Sequence, residues 1–360
     1  MKILQFTNNM DSGGAEKLLL ETIPLLNAKG ISVDLAVLCD NNSPFIEMLR
    51  SLNCCKIFSL GNKNLYNPLL VFKIVPFLKK YDIIHVHLFP SLYWVVIAKI
   101  ISFSKCKLIY TEHSTNNRRR NNALFVFFDK IIYSNYSQII AISKEVKSEL
   151  ERHLSITNKS NIVVINNGIN IEKYRKSNGY DKKIFFNTED TILLIQVSRF
   201  NGPKDQPTVI KAMNLLPKNI KLLLVGDGEL KSDCEKLVIN LALEDRVLFL
   251  GNRTDIPELM NTSDIIIQSS NWEGFGMAAL EGMAIGKPTI VSDVPGLSDL
   301  VKGAGLLFDK GDYVSLVNQI SLLLNIDLYS EISKKVTIRA NEYDIHKTID
   351  SQLKLYNSTL

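Results

Sequence analysis

Two glutamates eight positions apart, Glu273 and Glu281, bracket a segment of glycines, aromatic residues and helix formers. Met277–Ile285 is composed of good helix formers, and this predicted helix begins just after Gly274-Phe275-Gly276. A helix start offers free N–H groups and a partial positive charge, and glycine lets an anion come close. At 1.5 Å per residue, roughly 12 Å would separate the two carboxylates along the helix axis. The segment suits an elongated ligand that is hydroxyl-rich at both ends and anionic in the middle, such as a nucleoside diphosphate sugar.

Two glycines near the amino terminus occupy a second position where phosphate could bind. Gly13 and Gly14 follow the predicted strand Lys2–Thr7 and open a helix, which is the phosphate-facing position of an α/β domain. The surrounding sequence is neither the Gly-x-Gly-x-x-Gly fingerprint nor a P-loop. A simple tight turn explains the two glycines equally well.

A pair of cations, Arg199 and Lys204, lies on a Gly-Pro loop after the predicted strand Thr191–Val197. Two cations in this position suit a diphosphate, although a solvated basic loop is the alternative. The chain has no Asp-x-Asp pair of the kind that holds a divalent cation on a nucleotide. We therefore expect no metal, and expect side-chain cations and helix N-termini to stabilise a departing diphosphate.

Three histidines lie at the ends of predicted strands: His85 and His87 at the end of the strand that begins at Ile83, and His113 just after Lys107–Thr111. Polar residues there are exposed at the ligand-facing edge of a parallel sheet. A structural hydrogen-bonding role is the alternative for each. We expect His85 and His87 to project to opposite faces of their strand and so not to share a metal ion.

The chain as a whole has the pattern of two α/β domains. It has 360 residues, too many for one ordinary core, and short β-branched runs alternate with amphipathic helical stretches throughout. This alternation predicts two doubly wound parallel sheets, with domains at residues 1–168 and 169–341 and a last helix at about 342–360 that could pack back on the first domain.

Composition and hydropathy indicate a cytoplasmic location. Five cysteines without a framework spacing favour a reducing compartment, and no signal peptide is evident. The longest apolar run, at residues 92–103, is too short to span a membrane and is interrupted by Lys99.

Charge divides unevenly between the two halves. Residues 1–170 carry 20 Lys and Arg against 12 Asp and Glu, whereas residues 171–360 carry 22 against 25. In the basic half, Arg118-Arg119-Arg120 precedes the aromatic run Leu124–Phe128, a combination that suits an anionic membrane surface rather than nucleic acid. The alternative is a solvated loop leading into a buried helix.

Taken in order, these segments resemble retaining glycosyltransferase family 4, and the resemblance covers nearly the whole chain. The matching motifs are Gly13-Gly-Ala-Glu16, Asp82–His87, Thr111-Glu-His113, Ala141–Glu145, Asn166-Asn-Gly-Ile169, Arg199 with Lys204, Val225-Gly-Asp-Gly228 and Glu273 with Glu281. The family has the GT-B fold, in which two Rossmann-like domains with doubly wound parallel sheets face each other across a cleft. The resemblance implies that residues 1–168 bind the acceptor and residues 169–341 bind the nucleotide-sugar donor.

The resemblance also implies roles for single residues. Glu281 would bind the ribose hydroxyls, and Glu273 with the backbone of Phe275-Gly276-Met277 would hold the donor sugar. Arg199 and Lys204 would bind the diphosphate. The remaining implied positions are Gly13 and Gly14 against the diphosphate, Gly228 lining the donor site, Asn252 and Arg253 near the base, and His113 beside the transferred sugar. His113, Arg199, Lys204 and Glu273 would be the groups closest to the reaction.

Three departures from the family pattern stand out. Gly282 replaces the usual alanine, which weakens helix propensity by up to ~1 kcal/mol. Pro295-Gly-Leu-Ser-Asp299 replaces Gly-Gly-x-x-Glu, which puts a ligand role for Asp299 in doubt, and Asp205 stands where a glycine usually follows the lysine.

The expected function is metal-independent, retaining transfer of a hexosyl group from a nucleoside diphosphate sugar to a saccharide acceptor. That acceptor would be lipid-linked, as in the assembly of capsule, O-antigen or exopolysaccharide, and the enzyme could sit peripherally on the inner face of the membrane. Two alternatives remain: a nucleotide-sugar epimerase on the same fold, and a catalytically silent partner subunit. A nicotinamide-dependent dehydrogenase is disfavoured by the missing glycine fingerprint.

Overall fold

The computed structural model describes residues 1–11, 13–40, 43–61, 64–115, 122–155, 161–187 and 190–360. The chain forms two compact units: residues 1–168 with 345–360, and residues 169–344. The predicted domains likewise meet between residues 168 and 169, with a predicted last helix at about 342–360.

Each unit is built around one parallel sheet. Strands of the first unit are β1 (Lys2–Thr7), β2 (Ser32–Val37), β3 (Ile57–Ser59), β4 (Ile83–His87), β5 (Lys107–Glu112), β6 (Gln138–Ala141) and β7 (Ile162–Val164). Strands of the second are β8 (Ile192–Val197), β9 (Ile220–Val225), β10 (Val247–Gly251), β11 (Ile265–Gln268), β12 (Thr289–Ser292) and β13 (Leu306–Phe308). Their spatial orders are β3-β2-β1-β4-β5-β6-β7 and β10-β9-β8-β11-β12-β13.

Helices connect consecutive strands, as parallel pairing requires. They are α1 (Gly14–Ala28), α2 (Pro44–Leu52), α3 (Leu70–Lys80), α4 (Ser91–Ser102), α5 (Ala123–Ser134), α6 (Lys144–Leu154), α7 (Ile171–Arg175), α8 (Gln206–Met213), α9 (Lys231–Asn240), α10 (Ile256–Thr262), α11 (Met277–Ile285), α12 (Ser298–Val301), α13 (Tyr313–Leu322), α14 (Ile326–Ala340) and α15 (Ile345–Thr359). The central strands are buried on both faces, which explains their continuous apolar runs.

Two strands, β3 and β13, are missing from the sequence-based prediction. Both are only three residues long and lie at an edge of their sheet. A three-residue strand is too short to show a periodicity, and at this length only β7 was predicted, because it lies in the continuous β-branched run Ile162–Ile165. The other eleven strands match the predicted ones to within a residue at each end. The predicted strands are Lys2–Thr7, Val33–Leu38, Ile83–Val86, Lys107–Thr111, Gln138–Ile142, Ile162–Ile165, Thr191–Val197, Lys221–Val225, Val247–Leu250, Ile265–Gln268 and Thr289–Ser292.

The final helix, α15, belongs to the first unit although it follows the second in sequence. Ile345, Ile349, Leu355 and Tyr356 are buried in the core formed around β1 and β2. Burying several large apolar side chains contributes about 1.5–3 kcal/mol each, which is enough to hold a four-turn helix on the unit.

Candidate active site

In the second unit, the loops that carry the predicted donor-binding residues meet at the carboxyl-terminal edge of the sheet, which is the edge formed by the ends of its strands. Because all its strands run parallel, their carboxyl ends share this edge. Arg199 and Lys204 follow β8, Gly228 follows β9, and Glu273 follows β11. The reversal of strand order between β8 and β11 marks the position where doubly wound folds bind ligands.

Lys204 and Glu273 form an ion pair across this edge, from Nζ to Oε2. The other carboxylate oxygen of Glu273 accepts a hydrogen bond from the backbone N–H of Gly274 at 3.2 Å. Both side chains are largely buried, at 21% and 18% exposure. The tertiary structure thus joins two predicted site residues that lie 69 positions apart.

Buried polar side chains fix the loop between Arg199 and Lys204. Gln196 Nε2 donates to the carbonyl of Lys204 at 3.0 Å, and Gln206 Nε2 donates to that of Arg199 at 3.0 Å. Ser269 Oγ lies 2.8 Å from the carbonyl oxygen of Asp205. None of these supports was predicted from the sequence, although the glutamine inside the apolar strand Ile192–Val197 is a signal that indicates one of them.

Close backbone approach packs the neighbouring loops together. At Gly228, with φ +153°, a Cβ would lie 2.3 Å from the carbonyl oxygen of Phe200, on the Arg199 loop. At Gly296, with φ +87°, a Cβ would lie 2.4 Å from the carbonyl oxygen of Glu273. Only glycine combines such dihedral angles with such proximity. Gly296 is therefore a further site residue that the sequence analysis did not single out.

Helix α11 begins directly after this cluster. Gly276 precedes it with φ +90°, and no side chain caps its first turn. Glu281 lies one turn into the helix and is 4% exposed, whereas Phe275 is buried and Met277 partly buried. Burying a carboxylate on an otherwise apolar helix is costly unless the carboxylate is hydrogen-bonded or paired with a charge.

Gly282 has a packing explanation that the sequence did not reveal. A Cβ at this position would lie 2.4 Å from Cγ1 of Ile266 on β11. Glycine lowers the helix propensity of α11, but because it has no side chain it lets the helix pack close to β11.

Asn252 and Arg253 lie just after β10 and are exposed. The Arg253 guanidinium is bidentate to Asp255, from Nε to Oδ1 at 2.8 Å and from Nη2 to Oδ2 at 2.6 Å. This pairing lowers the pKa of Asp255 to about 2. Asp299 is exposed on the short helix α12.

In the first unit, Gly13 and Gly14 lie where the sequence predicts them, at the start of α1. Gly13 is the N-cap, with an extended φ of −131°, and Gly14 is the first helical residue. A Cβ at Gly13 would meet the carboxylate of Glu16 at 2.2 Å. The carboxylate of Glu16 therefore lies against the start of this helix.

Three of the five histidines of the first unit, His85, His87 and His113, form a network in which the first two are fully buried and the third is partly buried. His85 and His87 share one face of β4, with ring centroids 4.4 Å apart. The expectation that they point to opposite faces is wrong, because side chains two positions apart on a strand project to the same side. His87 Nδ1 lies 3.0 Å from His113 Nε2. The ring nitrogens of His85 and His87 all lie within hydrogen-bonding distance of other side chains.

Burial keeps these histidines neutral. Desolvation lowers the pKa of His113 to about 4 and that of His85 to about 3, and it lowers the pKa of His87 well below its usual range. At neutral pH, His113 therefore offers one N–H donor and one nitrogen acceptor rather than a positive charge.

Within residues that the structure describes, no group of three or more His, Cys, Asp or Glu side chains is arranged to hold a metal ion. No described helix is long and apolar enough to cross a bilayer. The predicted basic segment Arg118-Arg119-Arg120 lies outside the described residues.

Two family models match the chain and together cover most of it. Residues 12–173 match the family described as Glycosyltransferase Family 4. Residues 179–342 match the family described as Glycosyl transferases group 1.

Curated relatives and solved structures agree with these matches. The N-acetyl-alpha-D-glucosaminyl L-malate synthase of Bacillus anthracis is 30% identical over 71% of this chain and 68% of its own. The UDP-Gal:alpha-D-GlcNAc-diphosphoundecaprenol alpha-1,3-galactosyltransferase of Escherichia coli is 25% identical over 95% and 93%. Anabaena Alr3699/HepE, solved with UDP and glucose, superposes over the full length of both chains with a TM-score of 0.87 at 23% identity. The predicted fold and family are thereby confirmed: the chain belongs to the family 4 glycosyltransferases and is a glycosyltransferase with the GT-B fold.

Proposed function

We propose that this glycosyltransferase moves a hexosyl group from a nucleoside diphosphate sugar to a saccharide acceptor, with retention at the anomeric carbon and without a metal. The observation that carries the proposal is the cluster at one sheet edge of the second unit. There the Lys204–Glu273 pair lies beside the uncapped start of α11, with Glu281 buried one turn further on. This cluster offers a cation, free N–H groups and two carboxylates in the order that a nucleotide sugar requires.

The diphosphate would lie against Arg199, Lys204 and the first N–H groups of α11. Donors that are already in place at this edge stabilise the charge that develops on a leaving diphosphate, at little reorganisation cost. Lys204 holds Glu273 in the structure, so we propose that the phosphate shares this cation while Glu273 accepts bonds from the sugar hydroxyls. Glu281 would accept bonds from the ribose, with Gly228, Asn252 and Arg253 on the nucleotide side.

His113 would stand beside the transferred sugar, and Gly13 and Gly14 beside the diphosphate. The neutral state of His113 supports a hydrogen-bonding role there rather than an electrostatic one. The proposed chemistry is front-face attack, in which the bond to the leaving phosphate breaks as the acceptor oxygen bonds to the anomeric carbon. The acceptor's proton passes to the leaving phosphate oxygen, so the step balances without a protein nucleophile.

A donor panel tests the reaction type. The enzyme would be incubated in EDTA with UDP and GDP sugars and a polyprenyl-diphosphate-linked saccharide, and the product analysed by NMR for its anomeric configuration. We expect a new glycosidic bond of the donor's own configuration. Inversion would contradict the retaining mechanism, and activity that requires added Mg²⁺ would contradict metal independence.

The same assay separates the two alternatives. An epimerase would return an altered sugar still attached to its nucleotide, with or without the acceptor. A silent partner subunit would bind no donor, and no nucleotide sugar would raise its melting temperature.

Two variants test the division of labour between the carboxylates. Glu281→Ala should weaken binding of the free nucleoside diphosphate, since its proposed partner is the ribose. Glu273→Ala should leave that affinity nearly unchanged and lower kcat, since its proposed partner is the sugar. Isothermal titration with the nucleotide and steady-state kinetics measure the two effects, and wild-type behaviour of both variants would overturn the assignment.

A lipid-linked acceptor is part of the proposal. Two relatives support it by name: the Escherichia coli galactosyltransferase, and a Campylobacter jejuni acetylgalactosaminyltransferase acting on a diphospho-undecaprenol substrate, 26% identical over 97% of both chains. A water-soluble saccharide of the same sequence, offered in parallel, tests the requirement. Equal kcat/KM for both acceptors would contradict a role for the lipid.

The surface of α5 supports a peripheral association with an anionic membrane. Leu124, Phe127, Phe128 and Ile131 are all exposed, and their i, i+3, i+4, i+7 spacing places them in one stripe along the helix. Asp129 and Tyr133 lie on the buried side instead. An exposed apolar stripe on the half of the chain with a net charge of +8 has the composition of an interfacial helix.

Vesicle sedimentation tests this association. The wild type should bind vesicles containing anionic phosphatidylglycerol at low salt, and a Phe127→Ser/Phe128→Ser variant should lose most of the binding. Ile338→Ser, which removes an exposed apolar side chain of the second unit, is the matched control and should bind normally. A triple Arg118, Arg119, Arg120→Ala variant tests the basic segment separately. No binding by the wild type would remove the idea.

A further inference from the structure

A continuous chain of hydrogen bonds in the first unit joins the last helix to His113. Tyr356 of α15 lies 2.6 Å from Nδ1 of His85 and 3.2 Å from Nε2 of Gln5. Gln5 Oε1 lies 2.9 Å from Nε2 of His87. His87 Nδ1 lies 3.0 Å from Nε2 of His113. All the residues that these hydrogen bonds connect belong to the first unit, and Gln5, His85, His87 and Tyr356 are almost fully buried.

The donors and acceptors in this chain determine each other. A phenol is a better donor than an imidazole N–H, so Tyr356 donates to His85 Nδ1 over the short 2.6 Å contact. Its oxygen then accepts from the amide nitrogen of Gln5, which turns the Gln5 carbonyl oxygen towards His87. That oxygen can only accept, so His87 carries its proton on Nε2 and presents the lone pair of Nδ1 to His113.

The last link fixes His113. Because His87 Nδ1 accepts, His113 must donate from Nε2, and its own Nδ1 is left as an acceptor. His85 obeys the same rule at the other end, where its Nε2 lies 2.7 Å from the hydroxyl of Thr111 and donates to it. The three histidines are therefore all in the Nε2–H form. Reversing the amide of Gln5 would move all three to the Nδ1–H form together, since buried networks of this kind are cooperative.

We propose that Tyr356, Gln5 and His87 are positioning residues that hold His113 in the Nε2–H tautomer, so that its Nδ1 accepts a hydrogen bond from a hydroxyl of the transferred sugar. The role at the sugar rests on the proposed function, whereas the tautomer is a property of the free enzyme. Helix α15 thereby contributes to the site, because its Tyr356 hydroxyl orients the side-chain amide of Gln5.

Nitrogen-15 NMR of the full chain labelled at histidine tests the tautomer directly, because the protonated and unprotonated ring nitrogens have well separated shifts. Signals are assigned by their loss in His85→Gln, His87→Gln and His113→Gln variants. We expect all three histidines in the Nε2–H form in the wild type without substrate. Finding His113 as Nδ1–H, or three histidines in different forms, would overturn the proposal.

Tyr356→Phe tests the relay, with Tyr136→Phe as its matched control. Tyr136 is an equally buried tyrosine of the same unit, and its hydroxyl donates to the carbonyl of Leu92 at 2.7 Å, outside the network. Each change removes one buried hydroxyl, and each should lower Tm by about 2–4 °C. Only Tyr356→Phe should mix the tautomers of His113. Equal His113 signals in the two variants would overturn the relay.

Kinetics then separate the relay from the proposed function. Both tautomers should bind the donor, whose contacts lie mainly in the second unit. If the productive tautomer falls to about a half or a tenth of the molecules, kcat therefore falls about two- to ten-fold in Tyr356→Phe with an unchanged KM for the donor. An altered tautomer with unaltered kcat would leave the relay standing and contradict the role of His113 at the sugar. Should Tyr356→Phe fold poorly, Gln5→Met breaks the same chain one link further on, and the same results are expected.

Discussion

The two units present opposite chemistry at the carboxyl ends of their sheets. The first unit contains all five histidines of the chain and builds its edge from neutral, buried side chains that hydrogen-bond to one another. The second unit has no histidine and builds its edge from an ion pair, an uncapped helix and glycines that bring backbones close together. Two domains of the same architecture thus offer a directional network and a charged, anion-receptive surface.

This difference fits the two tasks of a glycosyl transfer. A diphosphate needs charge and N–H groups, and its requirements are met by backbone and by cations whose exact orientation matters little. A sugar hydroxyl needs a donor or acceptor of known identity, and a histidine provides one only when its protonation state and tautomer are fixed. The four predictions below test whether the units divide the work in this way.

The largest expected effect is on activity, in the second unit. Lys204→Ala removes the cation proposed to bind the diphosphate, and kcat/KM should fall by about 10²–10³-fold, the typical effect of losing one group that stabilises a leaving anion. Lys211→Ala, which removes an exposed lysine of α8, is the control and should retain wild-type activity. A loss below about three-fold for Lys204→Ala would contradict the idea that the second unit acts through charge.

The second prediction concerns pH and belongs to the first unit. His85, His87 and His113 have folded-state pKa values below the ordinary value of about 6.5, so the unfolded chain binds more protons as the pH falls. The contribution of these neutral histidines to the free energy of unfolding is fully present above about pH 6.5 and is lost as the pH falls towards about 4. At pH 5.5 each neutral histidine costs about 1.4 kcal/mol, or about 4 kcal/mol for the three.

Each unit contains one tryptophan, Trp94 in the first and Trp272 in the second, which allows this pH effect to be localised. Urea unfolding of a Trp272→Phe variant reports the first unit, and that of a Trp94→Phe variant reports the second. Between pH 7.5 and 5.5 the first transition should lose about 4 kcal/mol and the second much less. Equal losses would show that the histidine network does not distinguish the units.

The third prediction tests backbone approach in the second unit. Gly296→Ala and Gly303→Ala both place a side chain at positive φ, which costs about 1–2 kcal/mol. Only at Gly296 would the new Cβ also meet a backbone atom, the carbonyl oxygen of Glu273. We expect Gly296→Ala to lose about 2 kcal/mol more than Gly303→Ala in urea unfolding, and to lose activity as Glu273 is displaced. Equal losses would contradict the close packing of these loops.

The smallest effect is expected at Gly282. Gly282→Ala gains up to about 1 kcal/mol of helix propensity but places a methyl group against Ile266, which costs about 1–3 kcal/mol. The net loss of about 1 kcal/mol should disappear in an Ile266→Ala background, where the space is vacant. A stabilised Gly282→Ala single variant would show that propensity outweighs packing here.

Much of the fold could be predicted from local sequence. Eleven of the thirteen strands are recognisable in the sequence as short apolar runs. The order of the motifs indicates the family that the comparisons confirm. The two missed strands, Ile57–Ser59 and Leu306–Phe308, lack the length for any periodicity. The expectation for His85 and His87 was wrong for another reason. Side chains two positions apart on a strand share a face, so the spacing in the sequence already indicates that the two rings lie together.

The candidate site was predictable as a set of positions but not as a set of contacts. Glu273 and Lys204 stood out by residue type and by their place after strands, and nothing local indicates that they pair. Gly296 and Ser269 were missed because their importance lies in what approaches them, and the atoms that approach come from other loops.

The sequence alone determined the alternation of strands and helices, the two domains and the chemistry available at each strand end, because these depend on neighbours within a few residues. Only the tertiary structure decided which groups meet: Lys204 with Glu273, Gly296 with the backbone of Glu273, and Gln5 with Tyr356, 351 positions away. Such contacts arise when parallel strands gather their carboxyl ends at one edge and when a final helix returns to the first core. Their partners are set by packing over the whole unit, which no local pattern records.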